Sequence, residues 1–247
     1  MPASLSSPLI RRLERLYPLT HEERGVLESA CTREVRFAPD EDMVREGDKP
    51  SDCNVLLEGM SCRYKILPNG KRQIFSFQIP GDLVDAQSFL LQKMDHSTAT
   101  LTACTVALIP HKTMLHITET YPRIARAVWK DTLVDAAVFR EWMMSIGRRT
   151  AYQRIAHVMC ELFVRMDAVG LAESRSIVWP ITQDELGDAL GLSNVHVNRT
   201  LQELRAAKLI TLSHSQLVIE DWEGLQQAAQ FEIDYLHLSF EPNPESS

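Results

Sequence analysis

The chain contains no run of about 18 apolar residues, the length a helix needs to cross a bilayer, so no membrane span is expected. Its first residues, MPASLSSPLIRRLERL, lack the apolar core of a secretion signal. Cysteine is sparse: five in all, at irregular spacings and without a CxxC. That count disfavours a disulfide framework or a zinc ribbon and points to a reducing, cytoplasmic setting. There is no nucleophile elbow, no glycine-rich phosphate loop and no paired metal-ligand motif. A thiol enzyme built on Cys104 with His111 would have nothing to frame it, so the chain reads as a non-enzyme with no metal and no cofactor. Positive charge is also short, with 26 Lys and Arg against 33 Asp and Glu and a net charge of −7. At 247 residues and 45% hydrophobic content, the chain is long enough for two packed domains.

What is present centres on residues 181–210, ITQDELGDALGLSNVHVNRTLQELRAAKLI. Thr182 and Glu185 have capping-box spacing at the start of a helix. Gly191 stands where a left-handed residue would turn the chain. Ser193 can cap a second helix, in which Val197, Thr200, Leu201 and Leu204 share one face. Lys208 is placed late in that helix. The other face presents Asn194, Val195, His196, Asn198 and Arg199. Amides and guanidinium can pair with base edges, and a helix-turn-helix offers such residues to the major groove. An ordinary helical hairpin with a solvated face would share the pattern. Residues 211–219 add a short β-hairpin around His214-Ser215, which makes the unit a winged helix.

The rest of the chain frames this unit. Residues 8–30 read as two short helices, the second opened by Thr20 and Glu23. From 33 to 111, short apolar stretches alternate with turn signals, as in a β-barrel or roll. Asn69-Gly70 is the clearest hairpin turn. After Tyr121-Pro122 the pattern is helical to Ile146, apolar over an arc wide enough to be covered on two sides. Val128, Thr132, Asp135, Phe139, Trp142 and Ile146 form one stripe at steps of three and four, with Ala127, Val134 and Val138 as its neighbour. Gly147-Arg148-Arg149 reads as a break. Another helix follows from Ala151, then a short strand at Ile177–Trp179. Residues 221–238 read as one helix, with Leu225, Ala228, Ala229, Ile233 and Leu236 inward. The tail, 241–247, reads as disordered. Arg148, Arg149 and Arg154 with Arg199, Arg205 and Lys208 are expected to give a small basic footprint on an acidic molecule.

This order resembles the Crp/Fnr (cyclic-AMP receptor protein / fumarate–nitrate regulator) family of transcription regulators, over about residues 20–220. The resemblance rests on Glu46-Gly47-Asp48 through Glu58-Gly59, on Pro80-Gly81-Asp82, on Gln153-Arg154-Ile155-Ala156, and above all on the 181–210 unit. It implies an α+β protein: a cyclic-nucleotide-binding-like β-roll with N-terminal helices (1–120), a dimerisation helix (121–147) and a winged-helix DNA-binding domain (148–247). It also implies a cytoplasmic homodimer on a near-palindromic double-stranded DNA operator, with RNA polymerase a further candidate partner.

Nucleotide-binding members of the family hold the ribose with a glutamate and the phosphate with an arginine. The cassette is degenerate here. Gly81 matches its start, but the ribose pair falls on Asp85-Ala86 and the phosphate pair on His96-Ser97. No arginine lies between Arg72 and Arg123, and histidine cannot copy a guanidinium's two-pronged grip. Cyclic nucleotide binding is not expected. The scattered Cys31, Cys53, Cys62, Cys104 and Cys160 do not suit an iron–sulfur cluster, and His96, His111 and His116 are weak haem ligands. Two alternatives stay open: a regulator that needs an unidentified effector or redox signal, and a ligand-binding or protein-contact module that does not read DNA.

Arg199 occupies the position of the family's guanine-reading arginine. Family members often carry a glutamate where this chain has Val195; valine can only touch a thymine methyl, so the half-site should depart from the usual one there. Asn194 and Asn198 are placed to read adenine, and His196, Thr182 and Ser193 to meet the phosphate backbone. Arg199→Ala is expected to cost about 1–3 kcal/mol and to relax specificity at one base pair. Binding measured on a panel of single-base operator variants checks this. An equal loss on every sequence would remove the base-reading role.

Overall fold

In the computed structural model, which describes residues 7–91 and 93–238, the chain is built as a β-roll, a long helix and a winged helix. The 241–247 tail lies outside the described residues. Helices α1 (Ser7–Leu16) and α2 (His21–Ala30) open the chain. Thr20 and Glu23 form the expected capping box, each side chain bonded to the other's backbone N–H.

The roll comprises β1 (Arg33–Phe37), β2 (Asp42–Val44), β3 (Asp52–Glu58), β4 (Ser61–Ile66), β5 (Arg72–Gln78), the short helix α3 (Ser88–Leu91), β6 (Ser97–Thr100) and β7 (Cys104–Pro110). Its strands form two antiparallel sheets, ordered β1-β7-β3 and β2-β6-β4-β5. The β4–β5 turn differs from the Asn-Gly pair expected. Gly70 N donates to Leu67 O and Leu67 N to Lys71 O, and Gly70 alone is left-handed at φ 79°. Pro68 and Asn69 are therefore the centre of a type I turn, and Gly70 closes a three-residue loop. Helix α4 (His111–Thr120) had no sequence counterpart; it buries only Met114 and Ile117.

Helix α5 (Pro122–Arg148) is 27 residues, about 40 Å of helix. The break expected over Gly147-Arg148-Arg149 falls at the end of that stretch, at Arg149. The helix runs through Arg148, and Thr150 starts α6 (Ala151–Ala168) with a capping box to Gln153. The buried face draws on both stripes. Val128, Val134, Ala137, Val138 and Trp142 are buried, whereas Thr132 and Ile146 are exposed. Trp129, Leu133 and Met143 remain 68%, 55% and 71% exposed, so an apolar face is left uncovered within one chain.

The last unit contains β8 (Ser176–Val178), α7 (Gln183–Leu190), α8 (Asn194–Ala206), β9 (Ile210–Ser213), β10 (Gln216–Ile219) and α9 (Trp222–Ala229). Its sheet order is β8-β10-β9, with His214 and Ser215 both left-handed at the hairpin turn. The single helix expected over 221–238 is broken. Gln230 turns left-handed at φ 50°, Phe231 rather than Ile233 enters the core, and one 3-10 turn follows at Asp234–Leu236. Lys208 lies past the C-cap of α8, at φ 58°. No helix among the described residues is long and apolar enough to cross a membrane.

A buried ion network joins these parts. Asp82, on the loop after β5, pairs with Arg12 of α1 at 2.8 Å and with Arg165 of α6 at 2.8 Å. Arg12 also reaches Asp131 of α5 at 2.7 Å, and Arg165 reaches Glu161 at 3.2 Å. Beside it, Gly81 at φ 101° lets the loop approach α1 so closely that a Cβ would stand 2.7 Å from Pro8 O. Removing one partner of a buried pair leaves the others uncompensated, so Asp82→Asn is expected to cost about 3 kcal/mol. Urea unfolding checks this; a loss well under about 1 kcal/mol would mean that Asp131 and Glu161 suffice.

Candidate DNA interface and effector cavity

The helix-turn-helix is held from below by apolar packing and at its ends by caps. Val197, Thr200, Leu201 and Leu204 are all buried, as their spacing required. Thr182 O–H donates to Glu185 Oε2 at 2.8 Å, and Glu185 N–H donates back to Thr182 Oγ1 at 3.2 Å. Gly191 ends α7 at φ 66°, and Ser193 Oγ accepts from His196 N at 3.4 Å. With those ends fixed, the opposite face of α8 is open. Val195 is 77% exposed, and Asn194, His196, Asn198 and Arg199 are exposed around it.

The seven sequence candidates thus lie at one end of the unit, in different states. Arg199 is mostly exposed and leans toward Glu203 at 3.5 Å. Asn194 donates to Asp184, and Asn198 donates to Gln183 at 3.3 Å. These bonds tie α8 to the start of α7, so neither amide is fully uncommitted. Gln183, missed in the sequence, belongs with this group through that bond. The Thr182 and Ser193 hydroxyls already serve caps.

The wider basic footprint is smaller than expected. Arg149 is buried and pairs with Glu141 at 2.7 Å. Arg154 donates to Arg149 O at 2.9 Å and to Leu190 O at 2.9 Å. Arg205 donates to Leu212 O at 2.9 Å, bracing the wing. These three are internal braces.

A second feature is a cavity of about 620 Å³ between the β4–β5 face of the roll and α5, lined by Phe75, Phe139, Trp142 and Met143 among others. Of the four cassette residues, His96 alone lines it. Gly81 is pressed against Pro8, Ser97 Oγ accepts from Glu46 N at 2.9 Å, and Ala86 packs against the apolar cluster that includes Leu13, Leu27 and Ile109. Asp85 is fully buried and accepts from Asn54 N at 2.6 Å and Asn54 Nδ2 at 2.7 Å. Burial pushes its pKa up to about 6 despite those bonds.

A guanidinium does reach the cavity, from β4 and not from the cassette. Arg63 of β4 donates to Val84 O, Leu83 O and, at 2.6 Å, the carboxylate of Asp135 on α5. Burial works against the Arg63 charge; Asp135 more than offsets it, and the pKa is raised. The other charges also come in pairs. Lys65 meets Glu46 at 2.9 Å, and His96 meets Asp95 at 2.6 Å. Burial, then the charge of Arg63, push the His96 pKa down. A cyclic nucleotide does not fit this set: its phosphate would face an arginine already neutralised by Asp135, and the other carboxylate lining the cavity, Asp95, is paired with His96.

The cysteines are all free and buried. Burial pushes Cys31 up to about 11, and Cys53 and Cys62 up to about 12, which leaves them as thiols at neutral pH. Cys104 and His111 bond elsewhere, to Met60 O and to Ser88 Oγ. No group of three or more His, Cys, Asp or Glu among the described residues could hold a metal ion.

A β-roll carried on a long helix that leads into a winged helix-turn-helix defines a class of DNA-binding regulator. The comparisons agree. Residues 34–121 match the model of the cyclic nucleotide-binding domain, and residues 153–228 match that of the Crp-like helix-turn-helix domain. The nitrogen fixation regulation protein FixK of Bradyrhizobium diazoefficiens is 28% identical over 189 residues, 76% of this chain and 78% of its own. The transcriptional activator protein FnrL of Cereibacter sphaeroides is 26% identical over 197 residues, 78% of each chain. Among solved structures, FixK2 from Bradyrhizobium japonicum superposes with a TM-score of 0.72 at 24% identity, over 79% of this chain and 96% of that one. The chain belongs to the Crp/Fnr family and is a DNA-binding transcription regulator.

Because Thr182 caps α7 with its hydroxyl, Thr182→Ala is expected to destabilise the winged unit by about 1 kcal/mol, and Thr182→Ser to restore most of it. Thermal or urea unfolding of both variants checks the pair. Equal loss in Ala and Ser would place the effect in the methyl group rather than the cap.

Proposed function

We propose that the protein acts as a cytoplasmic homodimer that reads a near-palindromic operator with α8 of each subunit, without a cyclic nucleotide. The observation that carries this reading is the open, rigidly capped face of α8. Arg199 is the guanine reader, Asn194 and Asn198 read adenine by exchanging their α7 partners for base edges, and Val195 meets a thymine methyl. His196, Ser193 and Thr182 approach the phosphates. Their position at the start of α8 and of α7 is what supports these roles.

The second copy is supported by the uncovered face of α5. Trp129, Leu133 and Met143 form an exposed apolar strip, which a second α5 would cover. Two-fold pairing along that helix would place the recognition helices in successive major grooves, about 34 Å apart. On this reading the chain divides near 121 and 148, with α5 as the dimerisation element. RNA polymerase is the partner through which bound DNA would be read out.

The test is selection of bound sequences from a random double-stranded pool by the purified full-length protein, with and without cyclic AMP. The expected result is a two-fold symmetric motif, unchanged by the nucleotide, whose half-site departs from the family's at the base facing Val195. Leu133→Glu is expected to make the protein monomeric in analytical ultracentrifugation and to weaken operator binding by about 100-fold or more. A dimeric, fully binding variant would remove this face as the interface. Absence of any enriched motif would favour a module that does not read DNA.

A further inference from the structure

The helix-turn-helix has too few free cations for a DNA backbone. Residues 181–210 carry Asp184, Glu185, Asp188 and Glu203 against Arg199, Arg205 and Lys208, so four negative charges stand against three positive ones. Arg205 is turned inward to Leu212 O, and the upstream Arg149 and Arg154 are internal braces. Backbone affinity needs cations beside phosphates; Arg199 and Lys208 are the exposed ones in this unit, and neither lies at the start of α8, where a cation from another part of the fold would add to them.

The β4–β5 hairpin is the part that arrives. Arg72 pairs with Asp188 of α7 at 2.8 Å, and Gln73 Nε2 donates to Ala189 O at 3.1 Å. These two bonds fix the hairpin against α7 and neutralise one of its acids. Beyond them the tip forms one wall of an open polar groove of about 770 Å³, whose other wall includes Gly191, Ser193 and Asn194 at the start of α8. Lys71 stands on the tip wall, exposed, with no ion pair among the described residues.

We infer that the β4–β5 hairpin is a second DNA-contacting element, with Lys71 meeting a backbone phosphate beside the groove that α8 enters. This rests on the DNA-reading role of α8 proposed above. The turn between α7 and α8 borders the recognition residues, so a strand passing Ser193 runs along the groove that Lys71 overlooks. Arg72 is the positioning residue: it holds the hairpin to α7 and cancels Asp188, which would otherwise repel that strand. The contact is to phosphate and carries no sequence information.

The experiment titrates wild type, Lys71→Ala and Arg199→Ala full-length protein onto the selected operator and onto scrambled duplex, between about 50 and 200 mM salt. For Lys71→Ala, the slope of log affinity against log salt is expected to fall by about 0.9 per subunit bound, with affinity down about eightfold per subunit near 0.1 M salt, equally on both duplexes. Arg199→Ala is expected instead to lose discrimination between them. An unchanged salt slope in Lys71→Ala, with Arg199→Ala behaving as expected, overturns the hairpin contact and leaves the recognition role of α8 intact. The same unchanged slope with reduced transcription in a reconstituted system assigns the hairpin to a protein partner and also overturns it. Wild-type protein without salt-dependent binding overturns both.

Discussion

The structure depends most on the carboxylate of Asp82, shared between two arginines that belong to different parts of the chain. Arg12 comes from the first helix, Arg165 from the helix that begins the winged half, and Asp82 from the roll. Without that charge, α1 and α6 would each hold a buried guanidinium that had lost a partner, and each would be costly to keep out of water. Asp131 and Glu161 extend the network onto α5 and α6, and Glu161 also accepts from Trp142 Nε1 at 3.0 Å and Tyr235 OH at 2.9 Å. Polar geometry therefore sets the angle between roll and winged helix, where apolar contact alone would allow sliding. That rigidity gives the exposed face of α8 a defined direction.

The recognition unit itself was the most legible stretch, because its information is local. A capping box needs two residues three apart, a left-handed turn needs one glycine, and a buried helical face needs four residues at steps of three and four. Thr182, Gly191, Ser193 and the Val197–Leu204 stripe supply all of it. Where local signals compete, the reading failed by a few residues. The break expected over Gly147-Arg148-Arg149 comes only at its last residue, because the helix runs through Arg148 and Thr150 with Gln153 starts the next one. The apolar spacing through Ile233 ran across Gln230, where the chain turns left-handed and Phe231 takes the core position instead.

The cavity was illegible for a different reason. Its defining contact joins Arg63 to Asp135, 72 residues apart, on a strand and a helix that no spacing rule connects. No guanidinium stands near His96 in the sequence, while the fold brings one in from β4. The arginine footprint failed in the same way. Arg149 and Arg154 count as positive charge in the sequence, but their partners, Glu141 and the carbonyl of Leu190, can be assigned only once the helices are packed.

The Arg63–Asp135 pair also bears on how the roll could influence DNA binding. It ties a roll strand directly to α5, the helix whose uncovered face is the proposed dimer seam. An anion entering the cavity must compete with Asp135 for the same guanidinium, and would leave a partly buried carboxylate behind if it succeeded. Burial pushes the Asp135 pKa up; Arg63 first and Arg12 next overcome this and hold it below the usual carboxylate range, so protonation offers no easy release. An uncharged ligand would meet Phe75, Phe139 and Trp142 and leave the pair intact. The cavity's charge balance thus opposes the phosphate chemistry for which its fold is named, and the coupling between roll and long helix is already made by the chain itself.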